Sequence, residues 1–365
     1  MTNLYATSCI RFSLNNSQLQ LQFFGLEPLI INEQIAQGIM NSENRNYIKI
    51  EETPKMYKKK YIKGCLDGLE NPKLLVIRFG GIGDVLWTTP ALRGLKEKYP
   101  TLKIRFACFE KDRELLYNCP YIDELVTNHF PTVTDVEWAD YVLDFFDSVE
   151  QTGTDEAKVR NPIDISCEWA GVIPSSYLPF IKVEDFESFR MQNLLLQKNV
   201  KKEDLKIHIP LTASSPHRTW VYQKELCEMI LNKYPNAKII LTSNMIHSKD
   251  IAERVLGLKS DKIINLIGAL TLRELIALSN EMDLTFTSDT GLVHICGGLG
   301  KKSVAIYTSV PRETRISHYP TVRGIQTKTE CSPCYFLGEH CKYNELCCTS
   351  ITAQDVFLEL TKQLN

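Results

Sequence analysis

The chain has 365 residues, 44% hydrophobic and 24% charged, with a formal net charge of −2 at pH 7. That length suggests two domains with ample core, and the near-neutral balance gives no electrostatic support for nucleic-acid binding. No apolar run reaches the roughly 18 residues of a membrane span, and residues 1–8 lack the charged head and apolar body of a signal peptide, so a cytoplasmic protein is expected. Of twelve cysteines, five fall between Cys331 and Cys348; the other seven read as scattered, reduced core residues.

Residues 1–70 read as a small β appendage and linker. Cys9–Leu14 and Leu19–Phe23 alternate apolar and polar around Asn15-Asn16-Ser17, a hairpin signal; Leu29–Ile31 and Tyr47–Ile50 could add strands. Five lysines at positions 55, 58, 59, 60 and 63, interleaved with Tyr57 and Tyr61, read as a solvated linker or as a patch for an anionic acceptor or membrane surface.

From Lys73 to residue 200 strands alternate with helices. Leu74–Ile77 is a continuous apolar run, the mark of a buried parallel strand. Gly80, Gly81 and Gly83 follow, then Asp84, then apolar residues at helical spacing from Val85 to Leu95, with Pro90 predicting a kink or break. Further strands are expected at Lys103–Phe109, before Val126 and at Tyr141–Phe145, with helices at Arg113–Asn118 and Ile163–Ala170. Leu194–Glu203 reads as the approach to a second domain. Over residues 201–330 the same alternation restarts, with strands at Leu205–Leu211, Lys238–Thr242, Ile263–Leu266, Leu284–Thr287 and, last, Ser303–Tyr307. Helices fall at Lys224–Tyr234, Ser248–Leu256, Thr271–Asn280 and Leu292–Leu299. Residues 331–365 form a Cys-rich loop and a terminal helix. Strand–helix repetition means parallel sheets covered by helices, with ligands beyond the strands' carboxyl ends.

Three places carry chemistry. Asp84 stands where the glycine turn becomes helix, as an N-terminal cap or as a general base. The turn is not a dinucleotide fingerprint, because Leu86 stands where a third glycine is needed. In Thr287–His294 a strand ends, Asp289, Thr290 and Gly291 make the turn, and His294 follows one turn into a helix, a setting suited to phosphate; His294 is a structural histidine or a ligand contact. Gly297-Gly298 predicts close packing of that helix. Arg218, after the first strand of the second half, could clamp a diphosphate or pack on Trp220.

Together these pieces resemble the ADP-heptose:lipopolysaccharide heptosyltransferase family, glycosyltransferase family 9. The resemblance rests on Arg78-Phe-Gly-Gly-Ile-Gly-Asp84 with Thr89-Pro90, Arg218-Thr-Trp220, Ser288-Asp-Thr-Gly-Leu-Val-His294, Gly300-Lys-Lys-Ser-Val-Ala-Ile and Cys331-Ser-Pro-Cys334, from Lys73 to about Val356. It implies a GT-B fold, two Rossmann-like domains facing a cleft, and no catalytic metal. Residue by residue, Asp84 matches the family's base and Gly80, Gly81 and Gly83 its acceptor-side loop. Arg218 stands for a donor-phosphate cation that is often lysine, and Asp289, Thr290, Gly291 and His294 match the nucleotide-sugar motif. The expected reaction inverts the sugar, heptose from ADP-heptose, onto a hydroxyl of lipopolysaccharide or another surface glycan. Residues 1–70 are absent from the simple lipopolysaccharide enzymes. Relatives that heptosylate autotransporter proteins carry an N-terminal β appendage and a cysteine-bound iron, which makes a protein acceptor the alternative. A non-catalytic sugar-nucleotide binder is a further one, and a peripheral membrane contact and a homo-oligomer stay open.

The tail is read from its spacing. Cys331 and Cys334 can share one ion, and Cys341 with Cys347 or Cys348 can close a tetrahedron, His340 being a spare ligand. That predicts a structural zinc or iron; the other reading is reduced cysteines or an oxidised pair.

Overall fold

The computed structural model describes residues 4–8, 11–15, 20–24, 26–52, 59–127, 130–149, 159–213, 218–243, 249–335 and 346–365. The chain divides into two compact units. One comprises Met1–Arg113, Cys119–Gly153 and Ile163–Ser176; the other comprises Glu114–Asn118, Thr154–Pro162 and Tyr177–Asn365.

The first unit opens with β1 (Leu4–Ser8), β2 (Arg11–Asn15), β3 (Gln20–Phe24), β4 (Leu29–Ile31) and β5 (Ile48–Glu51). β2 and β3 form the expected antiparallel hairpin. β1 pairs antiparallel with both β4 and β5. The helix Glu33–Met40, capped by Asn32, lies between β4 and β5 in sequence. Neither β1 nor this helix was expected: each is short, and the helix buries only Ile39. The end of the lysine-rich stretch is not a solvated linker. Tyr61 is buried and donates to the Ala170 carbonyl at 2.6 Å, and Lys59 Nζ donates to the Ala139 carbonyl at 2.7 Å. Both are amphipathic side chains that bury their stems. Positions 55 and 58 lie outside the described residues.

The unit's main sheet holds β6 (Lys73–Ile77), β7 (Lys103–Ala107), β8 (Glu124–Val126) and β9 (Tyr141–Asp144), all parallel, in the order β8-β7-β6-β9. The chain runs outward from β6 through β7 to β8, then returns to β6's other side, so the topological switch point lies at β6. Leu74 to Ile77 are all buried, as a strand covered on both faces requires. The helix after β6 is two helices, Ile82–Leu86 and Thr89–Lys98. Pro90 has no N–H to offer the Leu86 carbonyl, and the Thr89 hydroxyl donates to it instead at 2.8 Å. Proline then sits in the first turn of the second helix, where it is tolerated. Arg113–Asn118 is not an independent helix; a 3₁₀ segment spans Glu110–Leu116.

The second unit carries β10 (Leu205–Pro210), β11 (Ala237–Thr242), β12 (Ile263–Asn265), β13 (Leu284–Ser288), β14 (Ser303–Tyr307) and β15 (Val322–Gln326). All six are parallel, in the order β12-β11-β10-β13-β14-β15. The switch point falls between β10 and β13. Ser303–Tyr307 is not the last strand. β15 was missed because Val-Arg-Gly-Ile-Gln lacks the apolar run of a central strand and occupies the sheet edge. Leu194–Glu203 is not simply an approach: the helix Asp185–Gln197 runs through it, burying Met191 and Leu195 against the Leu272–Glu281 layer. That second helix has the expected box, Thr271 and Glu274 bonding reciprocally. The terminal helix Ala353–Leu364 is capped by Thr352 and covers the sheet with Val356 and Leu360. Trp220 is buried in the same core, edge-on to Phe286 at 4.9 Å and donating its Nε1–H to Ile351 at 2.7 Å. The architecture is α/β with parallel sheets. No helix among the described residues is long and apolar enough to cross a membrane.

Candidate active site

Two turns, each at the carboxyl end of a strand beside a switch point, carry the predicted residues. Each is described within its own unit.

After β6 the chain enters the glycine turn. Gly81 is the N-cap of Ile82–Leu86 and Asp84 its third residue. The Asp84 Oδ2 accepts the Gly81 N–H at 2.6 Å. Its Oδ1 lies 2.8 Å from Arg78 Nη2. Arg78 is buried, 1% exposed, whereas the Asp84 side chain remains 28% exposed. Asp84 is therefore both cap and charge partner, and it still reaches solvent. Gly80 is at φ +148°, and a Cβ there would stand 2.6 Å from Asp84 Oδ2. The glycine is required by the carboxylate it wraps. Asp112, on the 3₁₀ segment after β7, is 2% exposed, and its Oδ2 finds no hydrogen-bond partner among the described residues. Burial, together with the negative charge of Asp84, pushes its carboxyl up to about 6. Sequence reading missed Asp112; its place just after a strand end was the available signal.

After β13 comes the second turn. Asp289 is 7% exposed, and its N–H donates to the Ile306 carbonyl at 3.0 Å. Thr290 is the extended N-cap of Gly291–Gly298, and its side chain makes no bond to the helix's first amides. Its hydroxyl faces Thr287 Oγ1 at 3.2 Å instead. First-turn amides without a side-chain cap are what an anion uses. Arg218 Nη1 donates to the Asp289 carbonyl at 3.2 Å and stands 3.7 Å from the Asp289 carboxylate. Burial raises the Asp289 carboxyl, a shift that Arg315 and Arg218 offset only in part. His294 is buried, with Nδ1 at 3.0 Å from the Tyr319 hydroxyl. Burial, with a contribution from Arg315, pushes the imidazole down to about 3, so it is neutral at physiological pH. Gly297 makes the expected close contact, since a Cβ there would meet the Tyr319 ring at 2.6 Å. Arg315 and Tyr319 were missed; they follow β14 as Arg218 follows β10.

Of the cysteine cluster, Cys331 is half-buried, Cys334 exposed and Cys347 buried, all free thiols. Thr329 next to Cys331, Thr327, Ser350 and the Cys347 carbonyl form one hydrogen-bonded chain, which ties the two ends of the cluster together. Cys341, His340 and the Cys348 side chain lie outside the described residues, and among the described residues no group of three metal-ligating side chains forms. Five scattered cysteines, at 108, 119, 167, 227 and 296, are buried and free as expected, and Cys65 is half-buried; Cys9 lies outside the described residues.

A groove of about 1000 Å³ runs along the open edge of β15, lined by Arg312, Arg323, Lys328, Asp355 and Leu358 among others. It contains none of the predicted site residues, of which the catalytic and donor-binding ones lie at the strand-end turns.

Residues 182–344 match the model of glycosyltransferase family 9 (heptosyltransferase). The chain is 20% identical over 342 residues to lipopolysaccharide heptosyltransferase 1 of Campylobacter coli, covering 80% of this chain and 98% of that protein. Among solved structures it resembles E. coli ADP-heptose lipopolysaccharide heptosyltransferase II (TM-score 0.63, 18% identity, 80% of this chain and 98% of that one). It also resembles the dodecameric iron-containing heptosyltransferase TibC of E. coli in complex with ADP-D-β-D-heptose (TM-score 0.58, 11% identity). That likeness covers 100% of this chain and 91% of TibC. These structures share the parallel α/β architecture. Residues 182–344 thus carry a match to glycosyltransferase family 9 (heptosyltransferase), and these homologues indicate that the chain is a transferase.

Proposed function

We propose that the chain transfers heptose from ADP-heptose to a hydroxyl of lipopolysaccharide or another surface glycan, with inversion at the anomeric carbon. One observation carries the reading. Arg218 is held against the Asp289 turn, at the uncapped start of Gly291–Gly298, so a cation and free amides converge where a diphosphate would sit. In this reading the first unit from about residue 71 serves the acceptor, the second unit up to about residue 330 holds the donor, and residues 331–365 form the Cys-rich tail.

Asp84 takes the proton from the acceptor hydroxyl as its oxygen attacks the anomeric carbon. The bond from that carbon to the diphosphate oxygen breaks, and ADP leaves carrying the electron pair. Arg218 and the amides of Thr290 and Gly291 stabilise the growing charge. Asp289 positions Arg218, and neutral His294, fixed by Tyr319, offers a hydrogen bond without adding charge. Pairing with Arg78 keeps the carboxylate aimed.

The second reading, a protein acceptor, is favoured by the N-terminal sheet and by a TibC likeness that spans the entire chain. On either reading residues 1–70 recognise acceptor or partner or serve as a stability element, and assembly into an oligomer is open to test by light scattering. Membrane contact is assigned to the lysine-rich stretch from 55 to 63 other than Lys59, whose Nζ is bonded to the Ala139 carbonyl. The thiolates of Cys331, Cys334, Cys341 and Cys347 would hold a structural zinc or iron, with no part in the chemical step; elemental analysis of the purified chain identifies the metal.

Thermal shift with ADP-heptose, GDP-sugars and UDP-sugars tests the donor. Stabilisation by ADP-heptose alone supports it; none with ADP or ADP-heptose overturns it. A variant Asp84→Asn that binds donor but has lost turnover separates an enzyme from a binder.

A further inference from the structure

All four parallel strands of the first unit are followed by a phenylalanine at their carboxyl ends. Phe79 lies two residues beyond β6, Phe109 two beyond β7, Phe130 four beyond β8 and Phe146 two beyond β9. Phe109, Phe130 and Phe146 are 37%, 44% and 39% exposed, an unusual state for the most apolar aromatic side chain. Three of them form one cluster: Phe79 stands 4.9 Å from Phe109 and 5.0 Å from Phe130, in tilted and edge-on arrangements. Phe146 lies 5.9 Å from the Arg78 guanidinium that pairs with Asp84. Phe79 directly precedes the glycine turn. A contiguous exposed aromatic patch at the reacting end of a sheet marks an interaction site.

Carboxylates outnumber cations beside it. Asp84 and Asp112 are there, and Asp144 accepts the Phe146 N–H at 2.9 Å. Arg78 is already committed to Asp84, and Lys111 lies 5.3 Å from the Phe109 ring. Anionic acceptor groups, phosphate or sugar acid, are repelled by such a surround. A neutral pyranose fits it. The ring's C–H face is apolar and lies flat on an aromatic ring, while its rim hydroxyls donate to carboxylates. An extended peptide fits less well, because the strand ends offer no open ladder for its backbone.

We propose that Phe79, Phe109 and Phe130 form a stacking platform for an uncharged sugar ring of the acceptor, whose hydroxyl is then presented to Asp84. This rests on the glycosyltransferase reading for its purpose, but its own readout does not need turnover. Saturation-transfer NMR on the full chain would use methyl α-D-mannopyranoside as the neutral probe. Mannose 6-phosphate and a neutral Ser/Thr-containing peptide serve as competitors. The expected result is transfer to the pyranoside's C–H protons, reduced about tenfold in Phe109→Ala and Phe130→Ala, retained in Phe109→Tyr, and weaker for the phosphate. Donor-induced thermal shift should be unchanged in these variants, which also shows that they fold. Absence of pyranoside signal, undiminished signal in both alanine variants, or preferential displacement by the phosphate or the peptide overturns the platform. Loss of the ADP-heptose shift in the unaltered chain instead removes the donor reading and leaves the NMR result standing.

Discussion

The Asp84 turn and the Asp289 turn are built alike and do opposite things with a carboxylate. Each follows a central parallel strand, each bends into a short helix, and each sets an aspartate beside an arginine. At the first turn the arginine is buried and the aspartate is 28% exposed; at the second the aspartate is 7% exposed and Arg218 is the more accessible partner. An accessible carboxylate held by a buried cation can exchange a proton with a bound hydroxyl. A buried carboxylate under accessible cations can only aim them, leaving positive charge for an anion. Burial, not local sequence, divides the labour.

The largest effect expected from breaking this contrast is at Asp84. Asp84→Asn should lower kcat by about 10³-fold, the range for loss of a general base, with the ADP-heptose thermal shift retained. An unchanged kcat would leave the exposed carboxylate without its role. Asparagine is preferred to alanine because it still accepts the Gly81 N–H and leaves Arg78 a polar neighbour.

Acid sharpens the comparison next. His294 behind the second turn and His208 on β10 are both buried and pushed down to about 3. Below about pH 6.5 the unfolded chain takes up these protons and the native state does not, so stability rises with pH across this window. At pH 5 each imidazole should cost about 2 kcal/mol relative to pH 7. Asp112, raised to about 6, works in the other sense over part of that window, one group against two. Urea denaturation at the two pH values measures the balance, and a flat profile would mean the histidines protonate in the fold.

Gly80→Ala attacks the first turn through its backbone. A Cβ 2.6 Å from Asp84 Oδ2 at φ +148° forces the carboxylate or the chain to move, at roughly 1–3 kcal/mol. Denaturation should show that loss together with reduced turnover; a neutral substitution would mean that the turn is not tied to the carboxylate. The smallest effect concerns the second turn. Arg218→Gln and Asp289→Asn should each raise the KM for ADP-heptose, and the double variant should cost less than their sum, with a coupling of about 1 kcal/mol. Strict additivity would separate the two residues.

Much of this was legible in the sequence. Leu74–Ile77, the Thr271–Glu274 box and the Asp289–Gly291 turn stood out because local propensity and final burial agree there. β15 was not, because an edge strand needs little apolar surface and Val322–Gln326 has little. Nor were Arg315, Tyr319 and Asp112: each acts through a partner distant in sequence, and nothing in a single chain marks which strand ends meet. The two helices around Pro90 show the intermediate case. Proline announced a break, but only the Thr89 hydroxyl on the Leu86 carbonyl explains how the break is tolerated.

In this reading the exposed carboxylate does proton chemistry while the buried one only holds cations on the donor. The most direct test is a single-turnover assay of heptose transfer from ADP-heptose to heptose-deficient lipopolysaccharide, with Asp84→Asn and Asp289→Asn each followed over a donor range up to saturation. The account predicts that Asp84→Asn stays slow at saturation, whereas Asp289→Asn recovers most of its rate as donor rises. Full recovery in Asp84→Asn, or an equal and unrescued loss in both, would contradict it.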